Sequence, residues 1–281
     1  MRKLFFICLA LIFTFTITAQ KTKKERRDER RQRISALIKQ EEEGVIAYHK
    51  HSALGLKLTN DGYGGFFEIG RASSIKKALL FQLDIAERKH PKENKQTNPN
   101  IPTSPFIYGK INYFYPVKLG VQQQILLGNK TNHNGVSVTG NFGGGLTLAL
   151  LRPYNLEVND LKKGNRKLIR YESKDSTAFS NTVPTSYVAD SVLFTNGANL
   201  AALQVVGAGL GKGWNQLTVT PGLYAKAAVR FDYGKYNEML SAVEVGVTAE
   251  YYSKKVPQLV YVKPKQFFIN AYVSIMFGKR K

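Results

Sequence analysis

The chain of 281 residues has few cysteine or histidine side chains. Its one cysteine, Cys8, lies in the first apolar stretch, and only four histidines follow. A mature chain without that stretch would contain no thiol. This excludes disulfides, thiolate metal sites and a cysteine nucleophile. No later apolar run approaches the roughly 18 residues that a transmembrane helix needs.

Acidic residues are also scarce, since 20 Asp and Glu stand against 41 Lys and Arg, for a net charge of +21. In a cytoplasmic protein such an excess would suggest nucleic acid as a partner. Evidence for export argues against nucleic acid and favours the phosphates of outer-membrane lipids and lipopolysaccharide. The alternative is that the charge only keeps the loops solvated.

The first residues have the pattern of an export signal. Arg2 and Lys3 precede the apolar run 4–18, and Ala19 gives a plausible cleavage point. We therefore predict a signal peptide at residues 1–19 that is cleaved. An uncleaved anchor helix is the alternative, but the run is shorter than the roughly 20 residues that such a helix needs.

Residues 217–233, LTVTPGLYAKAAVRFDY, alternate between apolar odd positions and mostly polar or small even positions. Successive side chains of a β-strand point to opposite faces, so this period of two predicts a strand. The run is longer than the roughly 5–6 residues of most globular strands. It suits a transmembrane strand, which needs about 9–11 residues.

Eight other segments share the pattern, and together the segments predict an all-β, antiparallel transmembrane β-barrel at residues 45–281. They span residues 51–60, 63–72, 77–88, 106–115, 119–128, 136–151, 217–233, 239–252 and 267–278. Single-chain barrels normally have an even strand number, so we predict about ten strands, with eight or twelve as alternatives. A missing strand is expected at 187–194 or 45–51. A soluble β-sandwich is the main structural alternative.

Two regions fall outside the strand pattern. Residues 20–44 are highly charged and rich in helix formers, which predicts a periplasmic helix or arm. The arm would contact the cell wall or a partner protein, or it is a solvated leader without a partner. Residues 152–213 form a long insertion that interrupts the barrel.

Two local features predict irregular strand geometry. Pro221 lacks the backbone N–H of a ladder, so we expect a bulge at Pro221–Gly222, or the start of the spanning part at Leu223. The triplet Gly143–Gly145 predicts a bulge or a close approach of side chains from across the lumen.

A narrow barrel normally fills its lumen with side chains. The inward positions include acidic and basic residues that we expect to form a polar network: Asp84, Lys110, Lys226, Arg230, Glu244 and Glu250. Mutual charge compensation is the simplest role for such a network. A selective pore lining is the alternative.

The sequence gives little support for catalysis or for a bound cofactor. His51 and Ser52 are neighbours, so on a strand they point to opposite faces and cannot form a dyad. His49 and His51 could share a face but lack a third metal ligand. The run Gly207–Trp214, GAGLGKGW, fails the phosphate-loop pattern because Gly213 stands where Ser or Thr is required. We expect no catalytic, cofactor or metal site.

Three segments resemble recurring pieces of one family of barrels: RPYNLEV (152–158), PGLYAKAAVRFDY (221–233) and FFINAYVSIMFGKR (267–280). With them, residues 50–278 resemble the small outer-membrane β-barrel proteins of Gram-negative bacteria called PorT-like, or the outer membrane protein β-barrel domain group. The resemblance implies an outer-membrane barrel and suggests, by analogy, an accessory role in a secretion or gliding apparatus. It assigns no functional residues.

The sequence favours a non-enzymatic protein of the outer membrane with a structural or envelope-complex role. The long insertion and the charged arm would make its contacts. A narrow channel for ions or small solutes, a lipid-modifying enzyme and a soluble periplasmic β-sandwich are the alternatives.

Overall fold

A computed structural model gives the fold for most of the chain after residue 48. The structure describes residues 27–32, 34–35, 49–74, 76–96, 105–128, 135–160, 165–178, 187–195, 205–209, 211–234 and 239–280. The predicted signal peptide, residues 1–19, lies outside these ranges. Of the predicted arm, residues 27–32 and 34–35 are described, and they are helical. No helix within the described ranges is long and apolar enough to cross a bilayer.

Eight long strands form one closed antiparallel barrel, which confirms the predicted fold class. They are β1 (Lys50–Thr59), β2 (Gly62–Ser74), β3 (Lys77–Arg88), β6 (Asn112–Gly128), β7 (Ser137–Pro153), β13 (Thr218–Asp232), β14 (Met239–Val256) and β15 (Lys265–Arg280). Their order around the ring is β1-β15-β14-β13-β7-β6-β3-β2. Pairing of β1 with β15 closes the ring and leaves it without an edge.

The count is eight because two predicted strands are one. Segments 106–115 and 119–128 were separated at a predicted turn, but β6 runs through Pro116 without a break. The ladder between β3 and β6 skips Tyr115 and Pro116, as expected where a proline supplies no N–H donor. The barrel therefore has eight strands, which is the lower of the two alternatives, and not the preferred number of ten.

The segment expected to hide a further strand, residues 187–194, lies outside the barrel. It contains the short strand β11 (Tyr187–Ala189) and most of a short helix, Asp190–Thr195. β11 pairs with β10 (Ser176–Ala178) in a separate two-stranded sheet. Of the other candidate, 45–51, only residues 49–51 are described, and Lys50 and His51 begin β1.

Neither predicted bulge is present. The register of β13 with β7 continues through Pro221, while pairing with β14 begins only at Gly222. On the side of β14, Pro221 therefore lies just outside the paired region, and its missing N–H interrupts no ladder there. The ladder of β6 with β7 likewise has no register shift at Gly143–Gly145.

Glycines in β7 are instead required by the closeness of the neighbouring backbone. A Cβ atom at Gly145 would overlap the Leu119 carbonyl oxygen of β6, and one at Gly143 would overlap that of Val121. Nearby, a Cβ at Gly120 would overlap the hydroxyl of Tyr224, whose ring lies inside the barrel. These glycines make room for a tightly curved wall and for one aromatic ring.

The barrel has an apolar outside and a polar inside. Leu56 is 76% exposed and Leu146 is 63% exposed, whereas the inward Glu68 and Glu244 are fully buried. The two faces alternate residue by residue, with burial pattern eBeBeBeBei in β1. A soluble sandwich buries its apolar face, so this arrangement is that of a transmembrane barrel.

The two ends of the barrel differ greatly in their connections. The first barrel residue, Lys50, and the last, Arg280, lie at one end, called here the terminal end. Connections 75–76, 129–136 and 233–238 are at this end. The opposite end has a tight turn at Asn60–Asp61 and three long connections, residues 89–111, 154–217 and 257–264. These three carry the remaining strands β4 (Lys95–Gln96), β5 (Phe106–Ile107), β8 (Leu156–Asp160), β9 (Asn165–Ile169), β10, β11 and β12 (Val206–Gly207).

We expect Gly145→Ala to destabilise the barrel by about 1–3 kcal/mol, because the added methyl group forces the β6 backbone to move. The control is Gly140→Ala on the same strand, where the new Cβ would lie 3.4 Å from the Leu127 side chain. Urea unfolding in detergent micelles, followed by the mobility of unboiled protein on a gel, measures the difference. Equal midpoints for the two variants would show that the wall is not tight at Gly145.

Candidate functional site: a filled lumen beneath a folded cap

Inward side chains of all eight strands meet in the lumen, where charged groups are paired. Among the described residues, six ion-paired cations face six anions in the barrel. The cations are Lys57, Arg88, Lys118, Lys226, Arg230 and Arg280, and the anions are Asp61, Glu68, Asp84, Asp232, Glu244 and Glu250. The positive and negative charges of this set balance.

Arg230 on β13 joins two carboxylates near the terminal end. Its Nη1 and Nη2 donate to the two oxygens of Glu68 at 2.8 and 2.7 Å, and its Nε donates to Glu244 at 2.9 Å. Glu68 also lies 3.1 Å from Nε2 of His51. A planar guanidinium suits this two-point contact, which orients both partners as well as compensating their charge.

Glu244 on β14 is the most highly connected acid of the lumen. Besides Arg230, it receives Lys226 Nζ at 2.7 Å, the Tyr272 hydroxyl at 2.7 Å and the Asn141 amide at 2.8 Å. Its partners come from β13, β15 and β7. A side-chain network therefore links the walls across the lumen in addition to the backbone ladders.

Two further clusters extend the network toward the cap end. Lys57 forms a buried ion pair with Asp84. Glu250 lies 2.6 Å from Lys118 Nζ and 2.7 Å from Arg88 Nη1. Arg88 in turn donates to Asp61 at 2.6 Å beside the tight turn.

The lumen is filled along much of its length. Glu68, Glu244 and Glu250 have no solvent-accessible surface, and Arg230 has 1%. Water can therefore scarcely reach the middle of the network. No group of three or more potential ligands could hold a metal ion in the part of the chain that the structure describes. The paired charges compensate one another, and their side chains connect the walls of the lumen.

Of the six residues proposed from the sequence, the structure brings five into the lumen, namely Asp84, Lys226, Arg230, Glu244 and Glu250. Lys110 is the exception, because β6 begins only at Asn112. Lys110 is buried above the barrel, where its Nζ lies 2.6 Å from Glu93 and 4.2 Å from the Tyr113 ring centre. Burial lowers the pKa of Lys110, and the Glu93 carboxylate offsets part of that shift.

The sequence does not single out the other seven charged members of the network, which are Lys57, Asp61, Glu68, Arg88, Lys118, Asp232 and Arg280. Lys57 and Glu68 alternate with outward apolar residues, so the period of two was a sufficient signal for both. Pro116 predicts a turn that includes Lys118. Once β6 is continuous, Lys118 lies opposite Asp84 and faces inward.

The described residues of the three long connections at the end opposite the termini form a unit that we call the cap. They are residues 89–96, 105–111, 154–160, 165–178, 187–195, 205–209, 211–217 and 257–264. Its hydrophobic core consists of Ile107, Tyr154, Leu156, Val158, Ile169, Phe194 and Val205. β8 is the middle strand of a small sheet, β12-β8-β9. A core of its own distinguishes the cap from a set of independent loops.

Hydrogen bonds tie the three connections to one another. The backbone N–H of Ile107 donates to the Tyr154 hydroxyl at 2.7 Å, and that of Ile111 donates to the Gln258 carbonyl at 2.8 Å. The Tyr261 hydroxyl donates to the Thr195 carbonyl at 2.5 Å. These bonds join all three connections into one unit at this end of the barrel.

The rim between cap and barrel contains a buried arginine among aromatic rings. The Arg152 guanidinium lies 4.1 Å from the ring centre of Tyr113 and 4.8 Å from that of Trp214. Trp214 stacks on Tyr115 and is 49% exposed. Aromatic residues with one wet and one apolar side are typical of a membrane–water interface.

No family model and no curated protein matches the chain. Among solved structures it is similar to Neisserial surface protein A, at 8% identity and a TM-score of 0.37 over 83% of this chain and 96% of the other. The N-terminal β-barrel domain of Pseudomonas aeruginosa OprF matches at 8% identity and a TM-score of 0.34, over 82% and 98%. Ail of Yersinia pestis, solved with the heparin analogue sucrose octasulfate, matches at 7% identity and a TM-score of 0.31, over 82% of this chain and 95% of the other. Membership of the PorT-like group stays a prediction.

We expect Lys57→Met to lower stability by about 3–5 kcal/mol, because it leaves the buried Asp84 carboxylate without its partner. Adding Asp84→Leu should recover most of that loss, since neither charge then remains buried. The control is Arg166→Met, because Arg166 pairs with Glu157 at 3.7 Å on the cap surface. Exposed pairs of this kind contribute about 0–1 kcal/mol. Urea unfolding would contradict this expectation if the single and double lumen variants were equally unstable.

Proposed function

We propose that this protein is a non-conducting anchor of the outer membrane that presents its cap on the cell surface for contact with a partner in the envelope. The observation that carries the proposal is a filled lumen beneath a cap with its own hydrophobic core. A barrel of this kind offers no wide path for solutes. Its distinctive surface is the cap.

Location in the outer membrane is supported by the closed ring and its apolar exterior. Only helices and closed barrels satisfy every backbone hydrogen bond in lipid. The export pattern of residues 1–19 provides a route out of the cytoplasm. Transmembrane barrels of bacteria belong to the outer membrane.

The lengths of the connections support an orientation. Outer-membrane barrels have short periplasmic turns and longer extracellular loops. Here the short connections share an end with Lys50 and Arg280, and the cap is at the other end. The cap would therefore face the medium, and the helical segment near residue 30 would face the periplasm.

Single cysteines test this orientation cleanly, because Cys8 is the only cysteine and lies in the predicted signal peptide. Lys174→Cys introduces a thiol on the exposed cap surface, and Lys76→Cys introduces one at the terminal end. A membrane-impermeant maleimide should label Lys174→Cys on intact cells and Lys76→Cys only after permeabilisation. The wild-type chain serves as the unlabelled control. Labelling of Lys76→Cys alone on intact cells would reverse the orientation.

A partner role predicts that binding depends on an intact cap core. Phe194 is fully buried there, so Phe194→Ala should loosen the cap by about 3–5 kcal/mol while leaving the barrel closed. We expect the wild type to co-purify with an envelope protein from gently solubilised membranes and Phe194→Ala to lose it. A secretion or gliding apparatus is one setting for such a partner.

Two outcomes would contradict the proposed role. Recovery of the wild-type protein alone would argue against a stable partner. Discrete conductance steps in planar bilayers that change in Lys226→Gln or Glu244→Gln would favour a narrow channel instead. Unboiled gel mobility should be the same for every variant used, which shows that each barrel has folded.

A further inference from the structure

We propose that the rim formed by β14 and β15 below the cap is a binding site for the phosphate groups of lipid A, with the outward rings of Tyr251 and Phe267 against its acyl chains. The proposal rests on the orientation proposed above, in which this rim meets the outer leaflet. The evidence for the site is a bulge in β14, residues 252–255, that lies beyond the continuous ladder by which β14 and β15 pair in the barrel.

The bulge is a break in the register of β14 with β15. Tyr251 pairs with Phe267, and the next pair is Val256 with Lys265. Four residues of β14 therefore stand opposite the single residue Gln266 of β15. Bulges of this kind redirect side chains and are common at barrel rims.

The bulge displays two lysines in succession. Ser253, Lys254 and Lys255 are all exposed, whereas a regular strand would turn every second side chain inward. The Gln266 side chain donates to the Ser253 carbonyl at 3.3 Å and so holds the bulge. Both ammonium groups are consequently available to a ligand beside the barrel.

Charge at this rim has one sign. The hairpin from residue 251 to 267, YYSKKVPQLVYVKPKQF, contains four lysines and no acidic residue. The two others, Lys263 and Lys265, are also exposed. Lysine is a compact point charge that binds phosphate well. Closely spaced phosphates are the natural complement of four such charges.

An apolar surface begins directly below the lysines. Tyr251 is 55% exposed and Phe267 is 53% exposed, and they are cross-strand partners on the outer face. Ile269 continues this surface toward the middle of the barrel at 64% exposure. A ligand with phosphates above and acyl chains below matches both parts, and lipid A of the outer leaflet has this chemistry.

The hairpin is held in place before any ligand arrives. Val256 and Leu259 are buried at 2% and 7% exposure. The Val260 N–H donates to the Gly109 carbonyl at 2.8 Å, and the Asn112 side chain donates to the Pro257 carbonyl at 3.1 Å. Little ordering of the backbone is therefore needed on binding, which favours affinity.

The test compares two triple variants of the folded full-length protein in detergent micelles. Lys254→Gln, Lys255→Gln and Lys265→Gln remove three charges at the proposed site. Lys50→Gln, Arg71→Gln and Lys77→Gln remove three exposed charges at the terminal end. We expect the first set to weaken binding of purified lipopolysaccharide by about 100-fold and the second set to change it little.

Further measurements distinguish binding of the lipid A phosphates from nonspecific attraction between charges. Lipopolysaccharide without its phosphates should bind the wild type weakly, with an affinity similar to that of intact lipopolysaccharide for the first triple variant. A variant with arginine at positions 254, 255 and 265 should still bind intact lipopolysaccharide. Tyr251→Ala should weaken binding of lipopolysaccharide but not of inorganic pyrophosphate. Equal losses in both triple variants, or equal binding of phosphatidylglycerol micelles, would overturn the site. Maleimide labelling tests the orientation separately, so a failed site would leave the proposed function intact.

Discussion

Closure of the ring with only eight strands is the constraint on which the rest of the structure depends. Eight strands leave an interior just wide enough for side chains, so each inward residue must fit its neighbours. Gly120 leaves space for the Tyr224 ring inside the barrel. Charged residues pair across strands, as Arg230 does with Glu68 and Glu244. The filled lumen follows from the strand number.

The period-two pattern was sufficient to predict the barrel, its two faces and five of the six lumen residues, because that pattern is a direct consequence of strand geometry. It failed at Pro116. A proline at this position predicts a turn, but a gap in the ladder toward β3 accommodates Pro116 inside β6. The same error split one strand into two, raised the strand count and hid Lys118. Local propensity could not reveal a gap that only the neighbouring strand defines.

The cap lay beyond sequence reasoning for a different reason. Its core joins Ile107 from one connection with Phe194 from another, and Gln258 of a third supplies a carbonyl to the Ile111 N–H. Each strand of the cap is only two to five residues long, so none shows an extended alternation of apolar and polar residues. Contacts between segments so far apart in the chain leave no local pattern. A long insertion was the only available signal.

The composition of the cap has a consequence for the order of assembly. Its segments come from three connections that approach one another only after the strands beneath them have paired, because forming distant contacts first would cost the entropy of closing long loops. Four of the eight barrel strands, β6, β7, β13 and β14, lie between Ile107 and Gln258 in the sequence. The cap should therefore be the last part to become ordered, and a complete cap reports a correctly closed barrel below it.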